Sequence, residues 1–589
     1  MMLFSSSSAL SLPSDFPKFP SPSSYRHGNS RYNVRCSVSA GKTNLELQNA
    51  VAATATATAA AATATSDPLS RFPKLPALAA YLCDAADDFI DKYLDKPPKP
   101  SVDPRVVLAG NFARVGETPP TECPRIEGAL PACLNGVYIR NGPNPLFPPR
   151  GAHHLYDGDG MLHALRIRDG SVTLCSRFVH TDKLSQEAVA GRPLFAKVFS
   201  GFYGVAGVAR GVLAVARGAL GIVDNAYASG LANTSILFFE SKFLALGESG
   251  MPYAFQIASD GDIINTGRHD FDGRLTLGMT AHPKIDPATG ELFAFRYAFP
   301  PPFLNLFRVS PNGEKHPDVP VRSMRQRPAF IHDFAVTGAY TVVPDTQIVV
   351  DPMRMVAGDG SPIFCDAAKV PRLGVVPRYA NDDSDMRWFD VPGLNFVHAV
   401  NAWDEKGGDE VVLVVANALP VDYVLEENHL LRFAVEMVRM NIKTGAVSRK
   451  CLSSNRCLEL GVVNPRYLTK KNRYAYMSIG APFPKACGVA KLDFSKADGD
   501  HDGAELVECV VASRVFGDNC FGGEVSFVPR GEMGEDEDDG YVVALVHDER
   551  ADLSKLLVMD AKSPTLETVA AVELPTRVPY GFHGLFVSD

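Results

Sequence analysis

From about residue 130 to its C-terminus the chain is a succession of short β runs and turns, and no segment of helical period of useful length follows residue 222. ELFAFRY (291–297) follows the turn DPATG, AVEMVRMNI (434–442) precedes KTG, and VVLVVAN (411–417), YVVALVH (541–547) and KLLVMDA (555–561) are further strands. So many antiparallel strands leave open edges unless the sheet system closes on itself. Radial repetition closes it, and a closed ring also keeps a central channel. The reading is therefore all-β, as a propeller. No repeat of fixed period is visible, so the blades have diverged and their number is not legible from periodicity.

Composition agrees. The 589 residues include 48 Gly and 44 Pro, a turn-rich content. Hydrophobic residues are 46% and charged residues 21%, enough apolar side chain for a large core. The net charge of −9 argues against a general nucleic-acid binder. The 11 cysteines contain no CxxC pair, which suits free thiols in a reducing compartment.

Residues 1–40 are rich in Ser, carry a few basic residues and hold one acid, Asp15. That is transit-peptide composition, and Val34-Arg35-Cys36 before Ser37 resembles a chloroplast processing site. The expected organisation is a plastid transit peptide over 1–36, an Ala/Thr-rich linker over 37–75, an amphipathic helix over 76–100 and a β domain over 101–589.

In PALAAYLCDAADDFIDKYLDK (76–96), Leu78, Leu82, Ala85, Phe89 and Tyr93 recur at helical spacing opposite Asp84, Asp87, Asp88, Asp91 and Asp95. A helix docked on the domain and a helix touching a membrane both fit. Leu194–Ile222 is mostly apolar, with Lys197, Arg210 and Arg217 as its only charges. These interrupt any span, and basic residues on an apolar helix suit one lying in a lipid surface.

Most of the 14 histidines have bland readings. His153, His154 and His163 (HHLYDGDGMLH) lack a zinc pattern, and Asp157-Gly158-Asp159-Gly160 departs from a calcium loop, leaving tight turns as its expected role. His282, His332, His398 and His583 stand apart, each at the edge of a strand run. A closed ring can bring all four to its axis.

Nine motifs in order carry a family resemblance: LNGVYIRNGPNP (134–145), YDGDGMLHA (156–164), LALGESGMPY (244–253), MTAHPKIDP (279–287), IHDFAVT (331–337), HAVNAWDE (398–405), LELGVVNP (458–465), FGGEVSFVP (521–529) and VPYGFHGLF (578–586). The chain from about residue 100 resembles the carotenoid cleavage dioxygenases. The resemblance implies a seven-bladed β-propeller with a helical and loop dome over a non-haem iron centre. It implies Fe(2+) held by His282, His332, His398 and His583, with Glu248, Glu459 and Glu524 orienting three of the imidazoles and His282 left without a carboxylate. Imidazoles suit ferrous iron, and carboxylates that accept the far ring N–H aim them.

The reaction so implied is oxidative cleavage of a carotenoid double bond by dioxygen, at the 9,10 or 9′,10′ position, giving products such as β-ionone. The substrate dissolves only in lipid, so plastid lipid globules or membranes are the expected contact surface. Among plant members the chain looks most like the type 4 subgroup. The rival subgroup, the 9-cis-epoxycarotenoid dioxygenases that make xanthoxin, carries Phe before the third histidine and NAWEE after it, where this chain has Val397 and Asn-Ala-Trp-Asp-Glu. A propeller that binds carotenoid without catalysis is the other alternative, and the full set of four His and three Glu argues against it.

Overall fold

The computed structural model describes residues 77–589 apart from 202–203, 227–229, 249, 299–300, 325–326, 352, 355–361, 456, 482, 499–505 and 532–535. The transit peptide and the linker read from the sequence lie outside the described residues.

Seven groups of antiparallel strands follow one another along the chain. Blade one holds Gly136–Pro143, Gly160–Arg168 and Ser171–Phe178, flanked by Thr118–Glu122 on one edge and Gly584–Ser588 on the other. Blade two is Ser235–Phe239, Lys242–Leu246, Tyr253–Ile257 and Ile263–Arg268. Blade three is Lys284–Ile285, Leu292–Tyr297, Leu304–Val309 and Val319–Val321. Blade four is Ala335–Val336, Tyr340–Asp345, Arg372–Pro377 and Arg387–Asp390, with a two-stranded insertion (Ile348–Val350 and Ile363–Cys365). Blade five is Phe396–Glu405, Glu410–Leu419, Arg432–Asn441 and Val447–Cys451. Blade six is Leu458–Val462, Tyr474–Gly480, Ala486–Asp493 and Val510–Val515. Blade seven is Cys520–Pro529, Gly540–Asp548, Leu553–Asp560 and Thr568–Glu573, with Ile126–Gly128 on its outer edge.

The two ends of the chain close the ring. The last strand pairs with the first strand of blade one, from Gly136↔Ser588 to Arg140↔Gly584. Ile126–Gly128 pairs with the outermost strand of blade seven. Both joins remove an edge that would otherwise stay unpaired.

The strand sequences follow from this stacking. Glu410–Leu419 is buried at every residue but its last. Blades cover both of its faces, which is why EVVLVVANAL reads as a continuous apolar run and not as an alternation. Trp403, 1% exposed, packs with Val412, Met437 and Leu492 in a cluster that joins blades five and six. Truncating a buried Trp costs about 3–5 kcal/mol.

Helices gather where the propeller is capped. Helix α1 (Ala77–Phe89) runs on into a π turn over Ile90–Leu94. Helix α2 (Asp182–Ala190) and helix α3 (Gly204–Ala219) lie between the strands of blades one and two. No helix among the described residues is long and apolar enough to cross a membrane.

Helices lie within both amphipathic stretches, and their charges pair with one another. Arg217 pairs with Asp87, Arg210 with Asp91 at 2.7 Å and with Asp95 at 2.9 Å, Arg192 with Asp84, and Arg150 with Asp88 at 3.1 Å. The acidic side of α1 thus faces the protein, while Leu78, Tyr81, Leu82, Phe89 and Tyr93 are each more than half exposed. On α3, Val205, Val212 and Val215 are likewise exposed. Arg210 and Arg217 do not reach outward as headgroup contacts. They are consumed by α1, because a buried guanidinium needs a carboxylate partner.

Candidate metal centre

His282, His332, His398 and His583 come together with one ligand nitrogen each, all within 4.8 Å of one another. They arrive from four blades. His282 and His332 precede the first strands of blades three and four, His398 lies in the first strand of blade five, and His583 precedes the chain's last strand, in blade one. Glu248, Glu459 and Glu524 come from blades two, six and seven. Each blade therefore contributes one of these seven side chains.

Local irregularities aim three of them. The register shifts across His398, between Phe396 and Ala399, and again between Ala399 and Asn401. It also shifts between Glu459 and Val462 and between Gly522 and Val525, around Glu524. A β-bulge re-aims a side chain that a regular strand would point elsewhere. Leu460, beside Glu459, sits at φ 54°, in the left-handed region that a branched side chain rarely adopts. Gly581 lets the chain before His583 pass close to blade one, since a Cβ there would lie 2.7 Å from the Asn141 carbonyl oxygen.

The imidazoles are oriented from behind. Nδ1 of His398 lies 2.9 Å from Glu459 Oε1, and Nδ1 of His583 lies 2.8 Å from Glu524 Oε1. Nδ1 of His332 is 2.7 Å from Glu248 Oε1, although the pair is off the hydrogen-bond line and the Glu248 oxygens make no hydrogen bond among the described residues. Among the described residues no carboxylate is paired with the His282 ring, whose Nε2 meets that of His332. With Nδ1 carrying the proton, Nε2 presents a bare lone pair toward the centre.

Those lone pairs face one another closely. Nε2 of His332 is 2.9 Å from Nε2 of His282 and 3.1 Å from Nε2 of His398. Neighbouring ligands about 2.1 Å from a shared ion stand about 3 Å apart. The donor set thus fits a divalent cation, and the electrostatics ask for one. Glu248, Glu459 and Glu524 have no Lys or Arg partner among the described residues. Burial pushes the Glu459 carboxyl up to about 7. Burial and the surrounding imidazoles hold His282 and His398 well below the usual histidine range, hence neutral and able to ligate. On His583 burial acts in the same direction, but the carboxylates of Glu524, Glu459 and Asp333 outweigh it and raise the group.

Asp333, which sequence reasoning passes over, braces three of the histidine-bearing segments. Its buried carboxylate takes Lys284 Nζ at 2.7 Å from blade three and the Ala399 amide at 2.9 Å from blade five, while sitting next to His332 in blade four. A charged residue beside a candidate ligand was the available signal.

His153, His154 and His163 stay out of the cluster. His163 bonds Ser176 at 2.8 Å, and the His154 ring lies against Phe199. Asp157 does make a turn, and its carboxylate also accepts from the Phe199 amide at 3.1 Å and the Ser200 hydroxyl at 2.6 Å, tying the segment before α3 to blade one.

An apolar cavity of about 110 Å³ opens beside the histidines, walled by Tyr156, Phe199, Phe330, Val397, Phe433 and Phe582. A second cavity of about 430 Å³ shares Val198 and Phe330 with it. Apart from Val397, and Phe199, which the apolar run 194–222 suggests as a lipid contact, these walls were not singled out from the sequence, because scattered aromatic residues carry no periodic signal.

Comparison with known proteins agrees with this geometry. Residues 112–588 match the retinal pigment epithelial membrane protein family. The chain is 51% identical over 522 residues to the chloroplastic 9-cis-epoxycarotenoid dioxygenase NCED1 of Oryza sativa subsp. japonica, covering 87% of this chain and 80% of that one. It is also 51% identical over 518 residues to the probable chloroplastic carotenoid cleavage dioxygenase 4 of Arabidopsis thaliana, covering 87% and 86%. Among solved structures, the lignostilbene dioxygenase of Pseudomonas brassicacearum superposes with a TM-score of 0.71 at 26% identity, over 84% of this chain and 100% of the other. A variant of the Synechocystis apocarotenoid oxygenase gives 0.67 at 25% identity, over 83% and 100%. A seven-bladed propeller with four converging imidazoles, matched over residues 112–588, places this chain in the retinal pigment epithelial membrane protein family as a carotenoid cleavage dioxygenase.

Proposed function

We propose that His282, His332, His398 and His583 hold ferrous iron, that Glu248, Glu459 and Glu524 orient His332, His398 and His583, and that the protein cleaves an all-trans carotenoid at its 9,10 or 9′,10′ double bond. The products are a C13 ketone such as β-ionone and a C27 apocarotenal. The observation that carries the reading is the convergence of the four imidazoles, with Nε2 of His332 2.9 Å from that of His282 and 3.1 Å from that of His398, at the wall of an apolar, aromatic cavity.

Bound iron supplies the activation of dioxygen beside the double bond. The chain's own residues do the rest. The three glutamates keep the protons on Nδ1 and the lone pairs inward. Phe199, Phe330 and Phe582 exclude water and hold the polyene at a fixed depth, so that one bond is presented. The adjoining cavity past Phe330 gives a long, rigid substrate room on a second side.

The setting is the plastid, which the chloroplastic names of both plant relatives support. The exposed apolar faces of α1 and α3 suit docking on a plastid lipid globule or membrane, from which a carotenoid can enter without crossing water.

The 9-cis-epoxycarotenoid reading has one specific support, since a relative of that name matches at the same 51% identity. Product chromatography of the iron-loaded protein decides. β-Ionone with a C27 aldehyde from all-trans β-carotene is the expected result. Xanthoxin from 9-cis-violaxanthin, with no C13 ketone from any all-trans carotenoid, moves the protein to the rival subgroup.

A further inference from the structure

Most of the polar atoms that line the iron-side cavity are committed. Asn233 Nδ2 donates to the carbonyls of Tyr156 and Gly158 at 3.1 and 2.9 Å, and its Oδ1 accepts from the Thr234 hydroxyl at 3.1 Å. Glu459 and His583 are engaged with His398 and Glu524, while Glu248 Oε1 lies 2.7 Å from His332 Nδ1 outside hydrogen-bond geometry. The Tyr156 hydroxyl is different, for it makes no hydrogen bond to the described protein, although the ring stands in the cavity wall. Neighbouring rings fix it, edge-on to Phe199 at 5.4 Å, to Phe582 at 5.7 Å and to His154 at 4.7 Å. Burial, with Glu459 nearby, raises the phenol far above its ordinary range, so it keeps its proton and can act as a donor. The hydroxyl is a donor at the wall of an otherwise apolar cavity, where phenylalanine of nearly equal volume would offer none.

We propose that the Tyr156 hydroxyl donates a hydrogen bond to an oxygen atom of the bound polyene, and that the cavity therefore favours oxygenated carotenoids or apocarotenoids over hydrocarbon ones. This inference rests on the cleavage reading above and narrows its substrate class. The oxygen belongs either to a hydroxyl on the end ring or to a carbonyl at the cut end of a shortened chain. Both offer the acceptor that the phenol lacks.

The test compares Tyr156→Phe with the unaltered protein on three probes: all-trans β-carotene with no oxygen, zeaxanthin with ring hydroxyls, and β-apo-8′-carotenal with a carbonyl. The expected result is a fall of about tenfold in the ratio of kcat/KM for one oxygenated probe to that for β-carotene, carried by KM, with bound iron retained. The probe that loses its advantage identifies the source of the oxygen. Dissociation constants of the metal-free protein for the same probes should shift in the same way. Ratios that do not move, in turnover and in binding, overturn the proposal. An iron-loaded protein that cleaves none of the three contradicts the cleavage reading instead, and the binding arm still decides on Tyr156.

Discussion

His583 Nδ1 lies 2.8 Å from Glu524 Oε1, and the second oxygen of the same carboxylate accepts the Gly584 amide at 3.1 Å. One side chain of blade seven thus fixes both the tautomer of the last histidine and the backbone that carries it. Glu524→Gln removes the charge and keeps the shape. Iron affinity should fall roughly 10–100-fold, measured by metal titration of the stripped protein. An unchanged affinity would mean that the carboxylate does not orient the ligand.

Val397 borders the cavity next to His398, within the register shift between Phe396 and Ala399 of the inner strand. Apolar contacts discriminate weakly, about 1–3 kcal/mol per methylene, so bulk this close to the metal matters more than bulk elsewhere. Val397→Phe should lower turnover of all-trans β-carotene several-fold more than it lowers bound iron. Equal losses in both would place the effect on folding instead of on the tunnel.

The exposed faces of α1 and α3 give a membrane test that spares the centre. Phe195 and Phe199, which the apolar run 194–222 suggests as lipid contacts, turn inward, and Phe199 walls the iron-side cavity. Phe202 lies outside the described residues. The outward positions are Leu82, Phe89, Val212 and Val215. Each contributes about 1.5–3 kcal/mol if fully buried in lipid. Changing all four to Ser should lower binding to plastid-lipid vesicles by at least a hundredfold, with iron content unchanged. A variant that still sediments with vesicles contradicts the docking role.

Lys197 makes stability depend on pH. Burial, helped by Arg210 and opposed by Asp157, pushes its ammonium down to about 8. Its Nζ donates to the Arg150 carbonyl at 2.8 Å, and also to that of Ala152. Unfolded, the group titrates near 10.4. Between about pH 8 and 10 the unfolded chain binds more protons, so this residue adds stability as pH rises through that window, up to about 3 kcal/mol. Lys197→Met should flatten the difference. Urea unfolding of both proteins at pH 7.5, 9 and 10 checks it, and parallel curves would refute it.

Much of the site was legible because its chemistry is carried by residue types that are costly to bury. The four histidines stand out at strand edges, the three glutamates come only with the family resemblance, and the structure brings the seven side chains together. The blade count was not legible, since stacking buries both faces of strands such as Glu410–Leu419 and erases the alternation that would mark a repeat. Nor was the direction of α1. Its apolar stripe fits the core and a membrane equally, and only the folded arrangement, which brings Arg217 to Asp87, turns the acidic side inward. Asp333 and the aromatic walls depend on contacts between blades, which no local pattern encodes.

The most direct test of the account is the iron content of purified protein in which His583 alone is changed to Ala. His583 is supplied by the final turn before the last strand, more than a hundred residues from the next ligand, and it joins the others only if the ring closes as described. The account predicts one iron per chain in the unaltered protein and almost none in His583→Ala, with cleavage lost in parallel. Full iron and normal turnover in His583→Ala would contradict it.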